Sequence, residues 1–292
     1  MIPAHILKKI KRIHIKSRRT VNSIMAGQYK SVFRGSGIEF EEVREYSPGD
    51  DVKALDWKVS ARLGRPFVKL YKEERESIVM LLIDMSASLE FGTLSGAKLD
   101  RAAEVASVLA FNAIKNNDKV GVLFFTDRVE KYIPPKKGSG HIWRVIKEIF
   151  TFSPNGKQTD VAGALDYLGK ILNKRAFVFV LSDFLDKDYL KSLRSLRQKH
   201  EVIGIMIHDK GGYQLPGKGI ILLHDEETGQ QMLVDAFSSR VRQGFSDKRT
   251  AGHNKALETF SKARSDLIAL ACDDSVSETL KRYFRLRERR IR

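Results

Sequence analysis

The residues of this chain best suited to chemistry are oxygen donors, and they fall where strands should end. Asp84-Met-Ser86-Ala-Ser88 closes the purest apolar run in the sequence, residues 78 to 84. Gly156-Lys-Gln-Thr159-Asp160 is a polar loop ahead of a helical stretch, and Leu181-Ser-Asp183 closes a second apolar run. Asp84, Ser86, Ser88, Thr159 and Asp183 together offer two carboxylates and three hydroxyls, with no His or Cys among them. An oxygen-only set of this kind suits a hard cation, Mg²⁺ first, with Mn²⁺ or Ca²⁺ as substitutes. Few charged ligands among neutral hydroxyls leave such an ion electrophilic, ready for a carboxylate from a partner. Taken alone, Asp84 with two serines also reads as a helix N-cap cluster. The company of Thr159 and Asp183 at later strand and helix ends is what favours the metal.

Other chemistries lack their parts. Gly212-Tyr-Gln-Leu-Pro-Gly-Lys218 has the spacing of a phosphate-binding loop, but Gly219 stands where Ser or Thr should bind Mg²⁺. A strand-like run follows it instead of the helix whose N-terminus would cradle phosphate. A phosphatase built on Asp84 needs a second carboxylate two residues on, where the chain has Ser86. No His-Glu-x-x-His pair or Gly-x-Ser-x-Gly elbow occurs among the seven histidines and the serines. The single cysteine, Cys272, ends an apolar run and reads as core rather than nucleophile. Catalysis is therefore not expected.

The elements that must position the donors alternate. Strands are expected at 78–84, 119–125, 129–133, 176–182, 201–207 and 266–271. Helices are expected at 98–116, 141–151, 161–173, 188–199, 237–264 and 277–290, with residues 219–223 and 231–234 adding a hairpin. The near-continuous apolar strands mark a parallel sheet covered on both faces. The expected fold is α/β, a doubly wound, mostly parallel six-stranded sheet of Rossmann type. Ligands of such sheets sit at the carboxyl ends of the strands, where the donors fall. Upstream, residues 30–76 read as a small strand–turn–helix–strand unit, with a helical stretch through Trp57 capped by Asp50 or Asp51, and Arg62 facing an acid. Residues 1–29 read as a basic amphipathic helix, and residues 77–292 as the main domain with a basic C-terminal helix.

The net charge of +16 sits mostly at the two ends. Residues 1 to 35 hold nine Lys or Arg and no acid, and residues 281 to 292 hold seven with one Glu, which leaves the middle near neutral. A basic groove for nucleic acid is not indicated. The ends are expected to be solvated, with docking of the N-terminal helix on an anionic membrane surface as the sharper alternative. One cysteine excludes an internal disulfide, and no apolar run of membrane-spanning length or signal sequence is present. A cytoplasmic location follows, with a peripheral place on the inner membrane face as its variant.

Asp84-x-Ser86-x-Ser88 with Thr159 and Asp183 resembles the metal-ion-dependent adhesion site of von Willebrand factor A domains. In that family the three hydroxyls bind the ion, the later Asp acts directly or through water, and a ligand acid completes the octahedron. Glu42-Val-Arg-Glu-Tyr-Ser-Pro-Gly-Asp-Asp51, Leu55-Asp-Trp-Lys-Val-Ser-Ala-Arg62 and the C-terminal Leu280-Lys-Arg-Tyr-Phe-Arg-Leu-Arg-Glu-Arg-Arg290 resemble bacterial domain-of-unknown-function family 58. The likeness runs over roughly residues 30 to 290. It implies a von Willebrand factor A-like domain and a MoxR-type AAA+ ATPase as partner. The expected function is a metal-dependent protein-interaction module acting with that ATPase as adaptor or client-binding partner. The rivals are a metal-assisted hydrolase in the same crevice, and a nucleic-acid or anionic-membrane binder working through the basic ends.

Overall fold

The computed structural model describes residues 39–72, 77–90, 98–215, 219–224, 227 and 229–291. The expected N-terminal helix at 1–29 lies outside them. The contacts divide the chain into two units, Phe33–Ser77 and the body from Ile78 onward.

In the smaller unit, β1 (Glu39–Glu45) and β2 (Phe67–Lys72) pair antiparallel. A short 3-10 turn (Val52–Ala54) and helix α1 (Trp57–Leu63) lie between them. The helix starts at Trp57 and does not end there, because Asp56 accepts from the amides of Lys58 and Val59 at 3.0 and 3.2 Å and Gly64, at φ 68°, stops it. Asp51 caps only the 3-10 turn. Asp50 is held instead by both guanidinium nitrogens of Arg44, at 2.8 and 2.6 Å, while Arg62 is exposed.

The body holds β3 (Ile78–Asp84), β4 (Lys119–Phe125), β5 (Val129–Lys136), β6 (Phe177–Ser182), β7 (Glu201–His208), β8 (Ile220–His224), β9 (Gln231–Asp235) and β10 (Asp266–Ala271). Its helices are α2 (Ala87–Glu90), α3 (Lys98–Lys115), α4 (Ser139–Thr151), α5 (Val161–Ile171), α6 (Leu190–Lys199), α7 (Ser239–Lys262) and α8 (Val276–Ile291). Six strands form one sheet in the order β10-β7-β6-β3-β4-β5, all neighbours parallel except β4 and β5. The fold is the expected α/β type with a mostly parallel six-stranded sheet flanked by helices. From Val79 to Ile83 every residue of β3 is fully buried, which explains the unbroken apolar run. On one face Leu165, Leu168, Leu193, Leu196 and Phe260, from α5, α6 and α7, pack with Met80, Leu82, Leu123 and Val180. Helices α3, α4 and α8 form the other layer.

The fifth strand runs three residues beyond the expected 129–133, through Pro134 and Pro135. Proline donates no ladder hydrogen bond, and β5 tolerates two because it is the antiparallel edge strand. Hairpin β8–β9 packs Ile221, Leu223 and Val234 against Leu215, Ala236 and Phe245 of α7.

The basic C-terminus is partly structural. Arg287 of α8 donates to Glu201 at 2.6 Å and to Asp266 at 3.0 Å, and Arg290 reaches Asp266 at 3.3 Å. These acids begin β7 and β10, so the cluster ties α8 to the amino-terminal end of the sheet. No helix among the described residues is long and apolar enough to cross a membrane.

Candidate metal-binding rim

Strand order sets where a ligand can enter. Strand β3 leads through α3 to β4 on one side, and the chain returns to place β6 on the other. The crevice between the carboxyl ends of β3 and β6 is thus the switch point of the sheet, the usual ligand position in doubly wound folds. Asp84 ends β3, and Ser182 with Asp183 ends β6.

Asp84 is fully buried, and its partners are neutral donors. Its Oδ1 accepts from the amide of Ser86 at 2.9 Å, and its Oδ2 accepts from the hydroxyl of Ser182 at 2.6 Å. Burial, and next the charge of Asp183, push its carboxyl up to about 7, against the pull of the Ser182 and Ser86 donors. The Ser86 and Ser88 hydroxyl oxygens are 3.0 Å apart. Two adjacent ligands of an octahedral Mg²⁺ with bonds of ~2.1 Å stand about 3 Å apart, so the pair matches one edge of such a shell.

Asp183 carries a cation of its own. Lys98 Nζ, on the first residue of α3, donates to Asp183 Oδ2 at 2.7 Å, with both side chains nearly buried. Asp183 Oδ1 accepts from the amide of Leu185 at 3.3 Å. The residue between, Phe184, takes φ 54°, a left-handed conformation that a bulky residue adopts only under constraint. Its amide is held by the Ser182 hydroxyl at 3.0 Å. Ser182 therefore links the two carboxylate-bearing strand ends.

Thr159 arrives on a loop fastened from several sides. Glu130 of β5 accepts from the hydroxyl of Thr126 at 2.8 Å and the amides of Asn155 and Gly156 at 3.1 and 2.7 Å. Burial alone would raise that carboxyl, but these donors hold it below its usual range. Gly156 is required here, since a Cβ would collide with Thr126 and Asp127. The carbonyl of Lys157 accepts from the amide of Ala87 at 2.9 Å, which joins the loop to the Ser86–Ser88 turn. Asp160 caps α5 through Gly163 at 2.8 Å, and Asp186 accepts from Val161 at 2.8 Å. The Thr159 hydroxyl itself donates to Glu227 of the β8–β9 hairpin at 3.2 Å.

Of the five residues singled out by sequence, Asp84 is the last residue of β3, Ser88 lies in the short helix α2, and Ser86, Thr159 and Asp183 lie on the connections beside them. Asp84, Ser86 and Ser88 share one hydrogen-bonded turn, Asp183 is the charge that Asp84 feels, and the Thr159 loop is stitched to the turn by backbone. Among the described residues no three His, Cys, Asp or Glu side chains gather as a ligand group. Any ion here must rely on hydroxyls, as the donor set allows. The sequence reading missed Ser182, Lys98, Glu130 and Glu227. Only Ser182 left a signal, a hydroxyl on the last residue of an otherwise apolar buried strand.

In sequence, the chain is 29% identical over 285 residues to an uncharacterized protein of Mycobacterium tuberculosis, covering 96% of this chain and 89% of that one. In structure, it is similar to an aerotolerance-related membrane protein from Bacteroides fragilis, with a TM-score of 0.51 and 15% identity over 73% of this chain and 99% of the other. BatB from Bacteroides thetaiotaomicron aligns with a TM-score of 0.49 and 13% identity over 73% of this chain and 99% of that chain. The structural likeness concerns the fold, which is von Willebrand factor A-like. The family described as Protein of unknown function DUF58 matches residues 42–256, from within β1 into α7, and the chain belongs to that family.

Proposed function

We propose that this rim holds a divalent cation, Mg²⁺ before Mn²⁺ or Ca²⁺, and uses it to grip an acidic side chain of a protein partner. Ser86, Ser88 and Thr159 supply hydroxyl oxygens, while Asp84 and Asp183 supply the charge, Asp183 directly or through water. The observation that carries the reading is Asp84, a carboxylate buried at the switch point whose hydrogen-bond partners are an amide and a hydroxyl. A buried anion without a cationic partner is costly, and a cation beside it relieves that cost. When bound, the ion would supply an electrophilic position for a carboxylate. The chain's own groups fix the ligands: Ser182 orients Asp84, and Glu130 holds the loop of Thr159.

The role is recognition rather than turnover. The family resemblance supports a MoxR-type AAA+ ATPase as the partner, with this chain as its adaptor or client-binding partner in the cytoplasm. A peripheral place at the inner membrane face is compatible with that role through the basic N-terminal sequence. Nucleic-acid binding through the C-terminus is disfavoured, because Arg287 and Arg290 are engaged with Glu201 and Asp266.

The test is affinity purification from the native cell with Mg²⁺ or with EDTA, using wild type and Asp84→Ala. The expected result is a partner set lost both in EDTA and in the variant. The same partners retained in both conditions would overturn the proposal.

A further inference from the structure

Hairpin β8–β9 is apolar on both faces, and its inner face alone packs on the body. Successive side chains of a strand point to opposite sides, so the register assigns each residue to a face. Ile221 and Val234 stand opposite each other on the inner face and pack with Leu215, Ala236 and Phe245. Leu222 and Leu233, also opposite each other, share the outer face with Ile220. These side chains are open to solvent: Ile220 is 74% exposed, Leu222 54% and Leu233 70%, and Phe237, just past the hairpin, is 65% exposed. A contiguous apolar cluster of this kind marks an interaction surface. Residues 219–237 also contain Asp225, Glu226, Glu227 and Asp235 and no Lys or Arg, so the arm is acidic. Arg242, the nearby cation of α7, is spent on the carbonyls of Ala236 and Phe237. The cover that fits the outer face is therefore apolar on one side and cationic. A second copy would set like acids against each other, and an anionic bilayer would be repelled.

We propose that the outer face of β8–β9 is the dock for residues 1–29 of this same chain. That segment carries seven Lys or Arg and no acid, and Ile6, Ile10, Ile13, Val21 and Ile24 recur in it at helical spacing. Its apolar stripe suits Ile220, Leu222, Leu233 and Phe237, and its charge is opposite to that of the arm. Because the segment is tethered to its dock, its effective concentration exceeds that of a free competitor. The attraction between exposed charges is screened by salt, while the apolar contact is not. Once docked, the basic segment is withheld from other anionic targets, and a basic amphipathic stretch of another protein has to exchange with it. None of this rests on the metal reading of the rim.

The experiment mixes equal parts of unlabelled and isotope-labelled full chain and treats them with a water-soluble carbodiimide, which joins lysine amines to carboxylates in contact. The expected products are amide links from Lys8, Lys9, Lys11 or Lys16 to Asp225, Glu226 or Asp235, each within one chain. The double variant Leu222→Ser, Leu233→Ser changes only exposed side chains, so it should keep its melting curve and lose those links. Replacing Lys8, Lys9, Lys11 and Arg12 with Gln leaves the hairpin intact and should make amide exchange across residues 219–237 severalfold faster at low salt. If the serine variant melts early, exchange in the glutamine variant decides. Links between a labelled and an unlabelled chain overturn the proposal in favour of a second copy. Absence of links to the hairpin, links that survive in a folded serine variant, or exchange that the glutamine variant leaves unchanged also overturns it.

Discussion

Lys98 and Asp183 form a nearly buried ion pair, 2.7 Å from ammonium to carboxylate, between the start of α3 and the end of β6. The pair gives the rim a built-in positive charge next to the place a divalent ion would take. Breaking a buried pair leaves its partner uncompensated, at a cost of about 3 kcal/mol. Lys98→Met should therefore destabilise the metal-free protein by that amount, read from urea unfolding in EDTA. The same variant adds net negative charge to the site and should bind Mn²⁺ about tenfold more tightly. Stability should return when Mg²⁺ is added. Lys98→Arg should behave like wild type. A Lys98→Met protein with unchanged affinity would show that the lysine does not govern ion binding.

Asp84 gives the metal-free protein a specific pH dependence. Its folded carboxyl titrates at about 7, through burial and then the Asp183 charge, well above the unfolded value of 3.8. Between those values the folded state keeps a proton that the unfolded state has lost, so stability declines as pH rises from ~4 to ~7 and levels above that. The contribution is on the order of 4 kcal/mol across the window. Asp84→Asn should remove it, seen as the difference between wild-type and variant unfolding free energies in EDTA from pH 4 to 8. Because the ion needs the carboxylate form, Mg²⁺ affinity should weaken below pH 7 with about one proton released per ion bound. Parallel curves for the two proteins would contradict the assignment.

Glu130 acts on the site from a distance by holding the loop of Thr159. Glu130→Gln keeps the shape but removes a charged acceptor from the amides of Asn155 and Gly156. Loss of ~1.5 kcal/mol of stability is expected. Amide exchange in residues 155–160 should rise, and Mn²⁺ affinity should fall severalfold without loss of stoichiometry. Unaltered exchange in that loop would remove Glu130 from the positioning of Thr159.

His200, at the junction of α6 and β7, is almost fully buried, and neither ring nitrogen has a hydrogen-bond partner among the described residues. Burial, with the charges of Lys199 and Arg175, lowers its pKa below 6.5. Its neutral form stabilises the fold above pH ~6.5, and that stability is lost as pH falls through the folded value. His200→Leu replaces unpaired polar atoms with apolar ones. It should stabilise the protein by ~1 kcal/mol at neutral pH and flatten this part of the acid limb. A less stable variant would mean that the ring makes a bond through ordered water.

The sheet was readable because its signals are local. Unbroken apolar runs such as Val79 to Ile83 mark strands covered on both faces, and the Asp and Ser residues after them fall at the crevice by topology alone. The turn of Asp84, Ser86 and Ser88 was legible for the same reason. Lys98 and Glu227 were not, since a lysine opening a helix and a glutamate in a turn look like ordinary surface charges. Their contacts with Asp183 and Thr159 span separations of 85 and 68 residues that only the fold closes. The small unit misled for a different reason: Ser47-Pro-Gly-Asp-Asp51 has several capping candidates, and Arg44 claims one of them. The two prolines of β5 hid its length, because proline reads as a terminator until the strand is known to be an edge.

The clamp of Arg287 on Glu201 and Asp266 grips the sheet at the pole opposite the rim. The residues of the clamp and those of the rim are therefore separate sets, without a shared side chain. For protein engineering, the same division marks the rim loops as the place to substitute and the clamp as the place to leave alone.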